Sequence, residues 1–185
     1  HRFLTNLVYN LKKGSVYMKK ITFAIAGCGS RGMNTYAKCL EKHADRAEVV
    51  AVADIRPDRV EYAAGRFNIP ADMCFDSVES MLKVPKLADV LIIATPDDVH
   101  YQPAMDALNL GYHLLLEKPA ARTAKECTDI AELAEKKGLH VVVCHVLRYT
   151  VFYQTIKQLI DDGKIGQIMN VEAIERVAHW HQAHS

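Results

Sequence analysis

The sequence predicts an α/β protein built on a doubly wound parallel sheet, followed by the start of a second α/β domain. Three observations carry that expectation. The strand-like segments are continuous apolar runs such as "EVVAVA" and "DVLIIA", which implies that both sheet faces are covered. Strand-like and helix-like segments take turns along the chain, the mark of βαβ units with right-handed crossovers. The first apolar run opens directly onto a glycine-rich turn and a helical pattern.

The elements follow in order. Ile21 to Ala26 reads as the first buried strand, and a helical pattern runs from about Arg31 to Lys42. Glu48 to Ala53 is a second strand, Asp58 to Phe67 a helix, and Met73 to Phe75 a short strand. Asp89 to Ala94 is a strong strand, and Val99 to Asn109 a helix closed by Gly111. His113 to Leu116 is the next strand. Thr123 with Glu126 three residues later has capping-box spacing, and the helix it starts ends near Lys137-Gly138. "HVVVCHV", residues 140 to 146, is another strand, and Phe152 to Asp162 another helix. Residues 167 to 181 alternate in part, which predicts an antiparallel strand with one wet face, over residues 168 to 178. Its uncovered apolar edge predicts self-association or disorder there.

Composition narrows the function classes. Half of the 185 residues are hydrophobic, enough to bury a core. Net charge is +1, from 23 basic and 22 acidic residues without a one-sided block. That argues against a nucleic-acid footprint and against a polybasic membrane surface. No apolar run reaches the length of a membrane span. Five scattered cysteines without a CxxC pair predict neither a zinc site nor a disulfide framework, and so a reducing, cytoplasmic protein. Residues 1–17 read as a non-native leader ahead of Met18, residues 18–147 as the doubly wound domain, and residues 148–185 as the incomplete beginning of a second, C-terminal domain.

"AIAGCGSRGMN" sets Gly27, Gly29 and Gly32 in G-x-G-x-x-G spacing between a strand and a helix, the context of a dinucleotide-binding Rossmann turn. Gly27 permits the tight turn, Gly29 lets a pyrophosphate approach the backbone, and Gly32 lets the helix pack on the strand. Ser30 and Arg31 stand at the helix start, where unpaired N–H groups and the dipole favour phosphate. The plain alternative is a glycine-rich turn without a ligand. Asp54 closes the second strand, placed to accept hydrogen bonds from the adenosine ribose hydroxyls and to repel a 2′-phosphate. This predicts NAD over NADP. Arg56, two residues on, tempers it, since a guanidinium can stack on adenine or pair with a 2′-phosphate.

Three further strand ends lie on the same edge, where open α/β sheets bind ligands. In "ATPDDVH", Thr95 and Pro96 turn the chain, Asp97 or Asp98 can cap the next helix, and His100 lies in its first turn near the cofactor or on the surface. In "LLLEKPA", Glu117, Lys118 and Pro119 end a buried strand on two charges and a residue that cannot continue a ladder. In "CHVLRYT", His145 and Arg148 emerge where the sheet ends, so Lys118 and His145 are expected to converge.

Together, Gly27-x-Gly29-x-x-Gly32, Asp54, Thr95-Pro96-x-x-x-His100, Glu117-Lys118-Pro119 and His145-x-x-Arg148-Tyr149 resemble the glucose-fructose oxidoreductase, inositol dehydrogenase and rhizopine-catabolism (Gfo/Idh/MocA) family, from about Ile21 to His184. The resemblance implies an NAD(P)-dependent oxidoreductase acting on a sugar, cyclitol or related polyol, with Lys118 as the catalytic proton donor or acceptor. It implies a cis Lys118-Pro119 bond, a role for Glu117 in orienting Lys118 or the cofactor amide, and a homo-oligomer of the whole protein. Members are longer than this chain, so the resemblance implies a cofactor-binding half with little turnover alone. Arg148, Tyr149, His179, Trp180 and His181 are substrate-side candidates, Trp180 by stacking on a sugar. Two other functions fit: a glycosidase using transient oxidation by NAD, and a non-catalytic dinucleotide sensor.

Overall fold

The apolar runs become six parallel strands in the computed structural model, which describes residues 19–174 and 176. The strands are β1 (Ile21–Ala26), β2 (Ala47–Ala53), β3 (Cys74–Phe75), β4 (Val90–Ile93), β5 (His113–Leu116) and β6 (Val141–Val143), in the spatial order β3-β2-β1-β4-β5-β6. Order reverses between β1 and β4. That is the topological switch point, outside which α/β sheets bind their ligands.

Because a strand presents alternate residues to opposite faces, two cores form. Ala24 and Ala26 of β1 join Ala51 and Ala53 of β2, Leu91 and Ile93 of β4, and Leu114 and Leu116 of β5 on one face. Ile25, Val49, Val52 and Ile92 point to the other. Each fully buried leucine or isoleucine contributes about 1.5–3 kcal/mol of transfer free energy, so continuous apolar runs are the stable solution only when both faces are roofed.

The roof on the second face starts with a π-helical segment, Arg31–Ala37, running into α1 (Lys38–Glu41), and continues with α2 (Pro57–Phe67). The sequence reads Arg31 to Lys42 as one helix; the chain is helical there, with a wider first half. On the first face lie α3 (Val78–Met81), α4 (Tyr101–Asn109) and α5 (Ala124–Lys137). Thr123 and Glu126 form the expected capping box, and Gly138 closes α5 at φ +65°. Helix α3, with its own Ser77 and Ser80 capping box, is not legible in the apolar pattern because it is a single turn.

Below the sheet, Asp89 ties β4 to β1. Its carboxylate accepts hydrogen bonds from the Thr22 amide at 2.9 Å and the Thr22 hydroxyl at 2.8 Å. Those bonds hold its carboxyl below the usual carboxylate range.

The chain after β6 departs from expectation. A 3-10 turn at Val146–Tyr149 leads to α6 (Val151–Asp161), which buries none of its residues. The expected antiparallel strand over 168–178 is absent among the described residues; Ile168, Met169, Val171 and Ile174 are exposed and unpaired with any strand. Alternation alone does not make a strand, because its N–H and C=O groups need a neighbouring ladder. The leader 1–17, Met18, His179, Trp180 and His181 lie outside the described residues.

Candidate functional site

Five strand ends and the helix start after β1 meet on one edge. The glycine loop is built by contact. A Cβ on Gly27, which sits at φ +93°, would strike the Ala94 carbonyl and come within 2.9 Å of the Thr95 nitrogen. A Cβ on Gly32 would strike the Gly27 carbonyl oxygen. These two glycines weld the β1 loop to the β4 loop and to its own helix. Gly29 differs: a Cβ there would meet only the Arg59 guanidinium, 3.3 Å away. Its backbone is open on the ligand side, and no side chain caps the helix start at Ser30 and Arg31. Ser30 Oγ instead accepts a bond from Asn34 at 3.3 Å. This cradle fits a pyrophosphate, which needs bare backbone N–H groups.

Asp54 ends β2 and is only 7% exposed. Its carboxylate accepts the Cys28 amide at 2.8 Å and the Arg56 amide at 2.9 Å. Each oxygen keeps a lone pair for a further donor such as a ribose hydroxyl. Burial, then the Asp54 charge, push the Cys28 thiol up to about 12, so it stays a thiol. The Arg56 side chain does not face this carboxylate. It forks onto Asp58 at 2.6 and 3.1 Å. The guanidinium beside Asp54 belongs to Arg59, 3.7 Å from Oδ2. Sequence reasoning missed Arg59. The signal was its place in the first turn of the helix that starts at Pro57.

Thr95 contributes the described residues' one buried side-chain oxygen without a hydrogen-bond partner, Oγ1, and Pro96 starts the turn after it. Such an orphan beside the glycine loop is what a bound ligand's donor or acceptor would satisfy. His100 is neither a surface residue nor open to a ligand. It is wholly buried, its Nδ1 2.7 Å from the Pro119 carbonyl oxygen and its Nε2 3.0 Å from that of Thr95. A neutral ring donates to one of these oxygens and an imidazolium to both. Its place corrects the expectation of a cofactor contact: it is a strut joining two loops, because the helix start carries it inward beneath both turns.

Glu117 is 6% exposed at the end of β5. Its Oε1 accepts the Tyr36 hydroxyl at 2.6 Å and lies 3.7 Å from Arg31 Nε; its Oε2 accepts the Lys118 amide at 3.1 Å. Burial and the neighbouring Cys144 and Glu117 hold the Tyr36 hydroxyl well above its ordinary range. Burial likewise raises the Cys144 thiol. Tyr36 was invisible to motif reading because its partner is 81 residues away. The Lys118-Pro119 bond is cis. The Lys118 ammonium is half exposed and 3.9 Å from Asp97 Oδ2.

Leu116 pairs with Val143, so Lys118 and His145 each leave the sheet two residues beyond a paired position. His145, Arg148 and Tyr149 are exposed beside this edge. No cluster of metal-ligating side chains occurs among the described residues, nor any helix long and apolar enough to cross a membrane.

Residues 21–145 match the sequence profile of an oxidoreductase family with an NAD-binding Rossmann fold, Gfo/Idh/MocA. The putative oxidoreductase YteT of Bacillus subtilis is 29% identical over 171 residues, 90% of this chain and 39% of that protein. Inositol 2-dehydrogenase of Salmonella typhimurium is 32% identical over 148 residues, 80% of this chain and 43% of the enzyme. The WlbA dehydrogenase of Chromobacterium violaceum, solved with NADH and UDP-GlcNAcA, superposes with a TM-score of 0.72 at 30% identity, over 82% of this chain and 42% of that one. The chain thus spans about two fifths of the length of the relatives it matches.

Proposed function

The chain belongs to the Gfo/Idh/MocA family of oxidoreductases with an NAD-binding Rossmann fold, and on that premise we propose that it holds NAD for the oxidation or reduction of a sugar, cyclitol or related polyol, with Lys118 exchanging the proton. The observation that carries this reading is the shared edge: an open glycine cradle, a buried carboxylate at the end of β2 and a lysine at the end of β5. The inositol and nucleotide-sugar relatives support the substrate class.

Bound NAD would supply the hydride acceptor, or NADH the donor. The chain's own residues do the rest. Gly29, Ser30 and Arg31 receive the pyrophosphate on backbone N–H groups. Asp54 accepts from the adenosine ribose, and its negative charge disfavours a 2′-phosphate. Thr95 Oγ1 is available to a polar group near the nicotinamide end. Glu117, clamped by Tyr36, fixes the Lys118 amide and so the base of the lysine side chain. As the neutral amine, Lys118 Nζ takes the proton from a substrate hydroxyl on oxidation; as the ammonium, it gives one to a carbonyl on reduction. Arg148 and Tyr149, with His179, Trp180 and His181, are the substrate-side residues of this reading. On this reading His145 comes beside Lys118. The same reading makes the protein cytoplasmic, with its five free thiols, and homo-oligomeric.

The test is an assay of the protein encoded by the complete gene with inositols and sugars, following NADH formation from NAD. Stoichiometric NADH appearance is expected with at least one polyol. Tight NADH binding without any net turnover across those substrates contradicts the dehydrogenase reading and favours a sensor or a redox-neutral glycosidase.

A further inference from the structure

The helix after the glycine loop is wound differently where it passes Glu117. Arg31–Ala37 is π-helical, and α1 takes over at Lys38. Arg31 and Tyr36 are five residues apart. On an α-helix, at about 100° per residue, they would stand about 140° apart and face different ways. The i→i+5 repeat of a π-helix brings residues five apart onto one face. Both side chains accordingly reach one atom. The Tyr36 hydroxyl donates to Glu117 Oε1 at 2.6 Å, and Arg31 Nε lies 3.7 Å from the same oxygen. Such turns are rare and recur at functional sites.

The two contacts differ in commitment. Tyr36 makes a short hydrogen bond to a carboxylate that is 6% exposed. The Arg31 guanidinium is half exposed and hydrogen-bonds no described residue, so its N–H groups can serve a second anion. Arg31 also opens the helix start that the reading above gives to the pyrophosphate. One guanidinium therefore stands between a phosphate and the carboxylate that accepts the Lys118 amide.

We infer that the π-helical segment couples the two ends of the edge: the Arg31 side chain is shared between the pyrophosphate and Glu117, so that filling the phosphate end changes the hold on the Lys118 loop. The inference rests on the dinucleotide reading. A phosphate that draws Arg31 away leaves Glu117 Oε1 to Tyr36, the positioning residue that keeps the carboxylate on the Lys118 amide. Such coupling is reciprocal, so Glu117 in turn restrains phosphate binding.

ADP tests it, because it carries the adenosine and both phosphates but no nicotinamide with which to touch Lys118. In amide NMR of this chain, ADP is expected to shift Glu117 and Lys118 together with Cys28 and Gly29. In Arg31→Gln, Cys28 and Gly29 should still shift, and Glu117 and Lys118 should not. By calorimetry, Glu117→Gln should free Arg31 and tighten ADP about two- to fivefold, the range of an exposed ion pair. The same change made on Arg31→Gln should leave ADP affinity as it was. Wild-type shifts confined to Cys28 and Gly29 overturn the inference, as do Glu117 and Lys118 shifts that persist in Arg31→Gln. Unchanged ADP affinity in Glu117→Gln overturns it whatever the Arg31 variant does. Equal tightening in both backgrounds overturns it too, since the carboxylate then acts by charge alone. ADP that fails to bind where NADH binds also counts against it. If the wild type binds neither, the dinucleotide reading itself fails, and this inference falls with it.

Discussion

Two buried carboxylates stand on the same edge of one sheet, at the ends of β2 and β5, and they are held in different ways. Asp54 is taken by backbone amides of residues 28 and 56, both within loops that touch it. Glu117 is taken by a tyrosine hydroxyl from the helix after the glycine loop and by the amide of its own neighbour. The first arrangement fixes a carboxylate and leaves its outer face for a ligand. The second turns the carboxylate inward and uses it to fix a loop, so that the next residue, Lys118, faces out. On the proposed reading, similar burial and the same charge serve binding in one case and positioning in the other. What differs is the donors: two backbone amides for Asp54, and for Glu117 one amide and a side-chain hydroxyl from a distant helix.

The sharpest way to break that contrast is to remove Lys118 beside one carboxylate and the other carboxylate, Asp54, itself. Lys118→Ala is expected to lower turnover of the complete protein by about 10²–10⁴-fold, the range for a lost general acid or base. Its effect on NADH affinity should be far smaller. Asp54→Ala should do the reverse, weakening NADH by roughly 10- to 100-fold through lost hydrogen bonds to a charged group. Steady-state kinetics and calorimetry on both variants check the crossing; parallel losses in both columns would erase the division of labour.

Gly32→Ala tests the weld that brings the two regions together. The new Cβ meets the Gly27 carbonyl oxygen, a backbone atom that cannot step aside. A loss of about 3 kcal/mol or more is expected in urea unfolding. Tyr36→Phe is milder. It strips Glu117 of its hydroxyl donor and should cost about 1–2 kcal/mol of stability. The complete protein should also lose turnover at saturating NAD, through the loosened Lys118 loop. Stability loss with unchanged turnover would make Tyr36 structural only.

The last effect is alkaline and vanishes near neutral pH. The Cys28 thiol is raised from 9.0 to about 12 in the folded chain, so above pH 9 the unfolded chain releases a proton that the folded one keeps. Stability should therefore be full below about pH 9 and fall as pH rises toward 12. Cys28→Ala should flatten that fall in urea midpoints measured across this range. Tyr36, Tyr112 and Cys144, all shifted the same way by burial, keep part of the slope.

Much of this was legible because it is local. The glycine spacing, Asp54 at the end of β2 and the Thr123 capping box each depend on residues close in sequence, and the structure places them as the spacing implies. The rest depends on tertiary contact. Tyr36 reaches Glu117 across the switch point between β1 and β4, which no periodicity reports. Arg56 and Arg59 are both near Asp54 in sequence, and only the start of the helix at Pro57 decides which one faces it. His100 reads as either near the cofactor or on the surface, yet the turn carries it wholly inside. Residues 168–174 alternate like a strand but have no ladder to join among the described residues.

The central claim is that one dinucleotide spans both regions, adenosine at Asp54 and nicotinamide at Lys118. An amide NMR titration of this chain with NADH tests it most directly. Resonances of Cys28, Gly29, Ser30 and Asp54 are expected to shift together with those of Thr95 and Lys118, all saturating at the same NADH concentration. Shifts confined to the Asp54 side, with Thr95 and Lys118 unmoved at saturation, would contradict it.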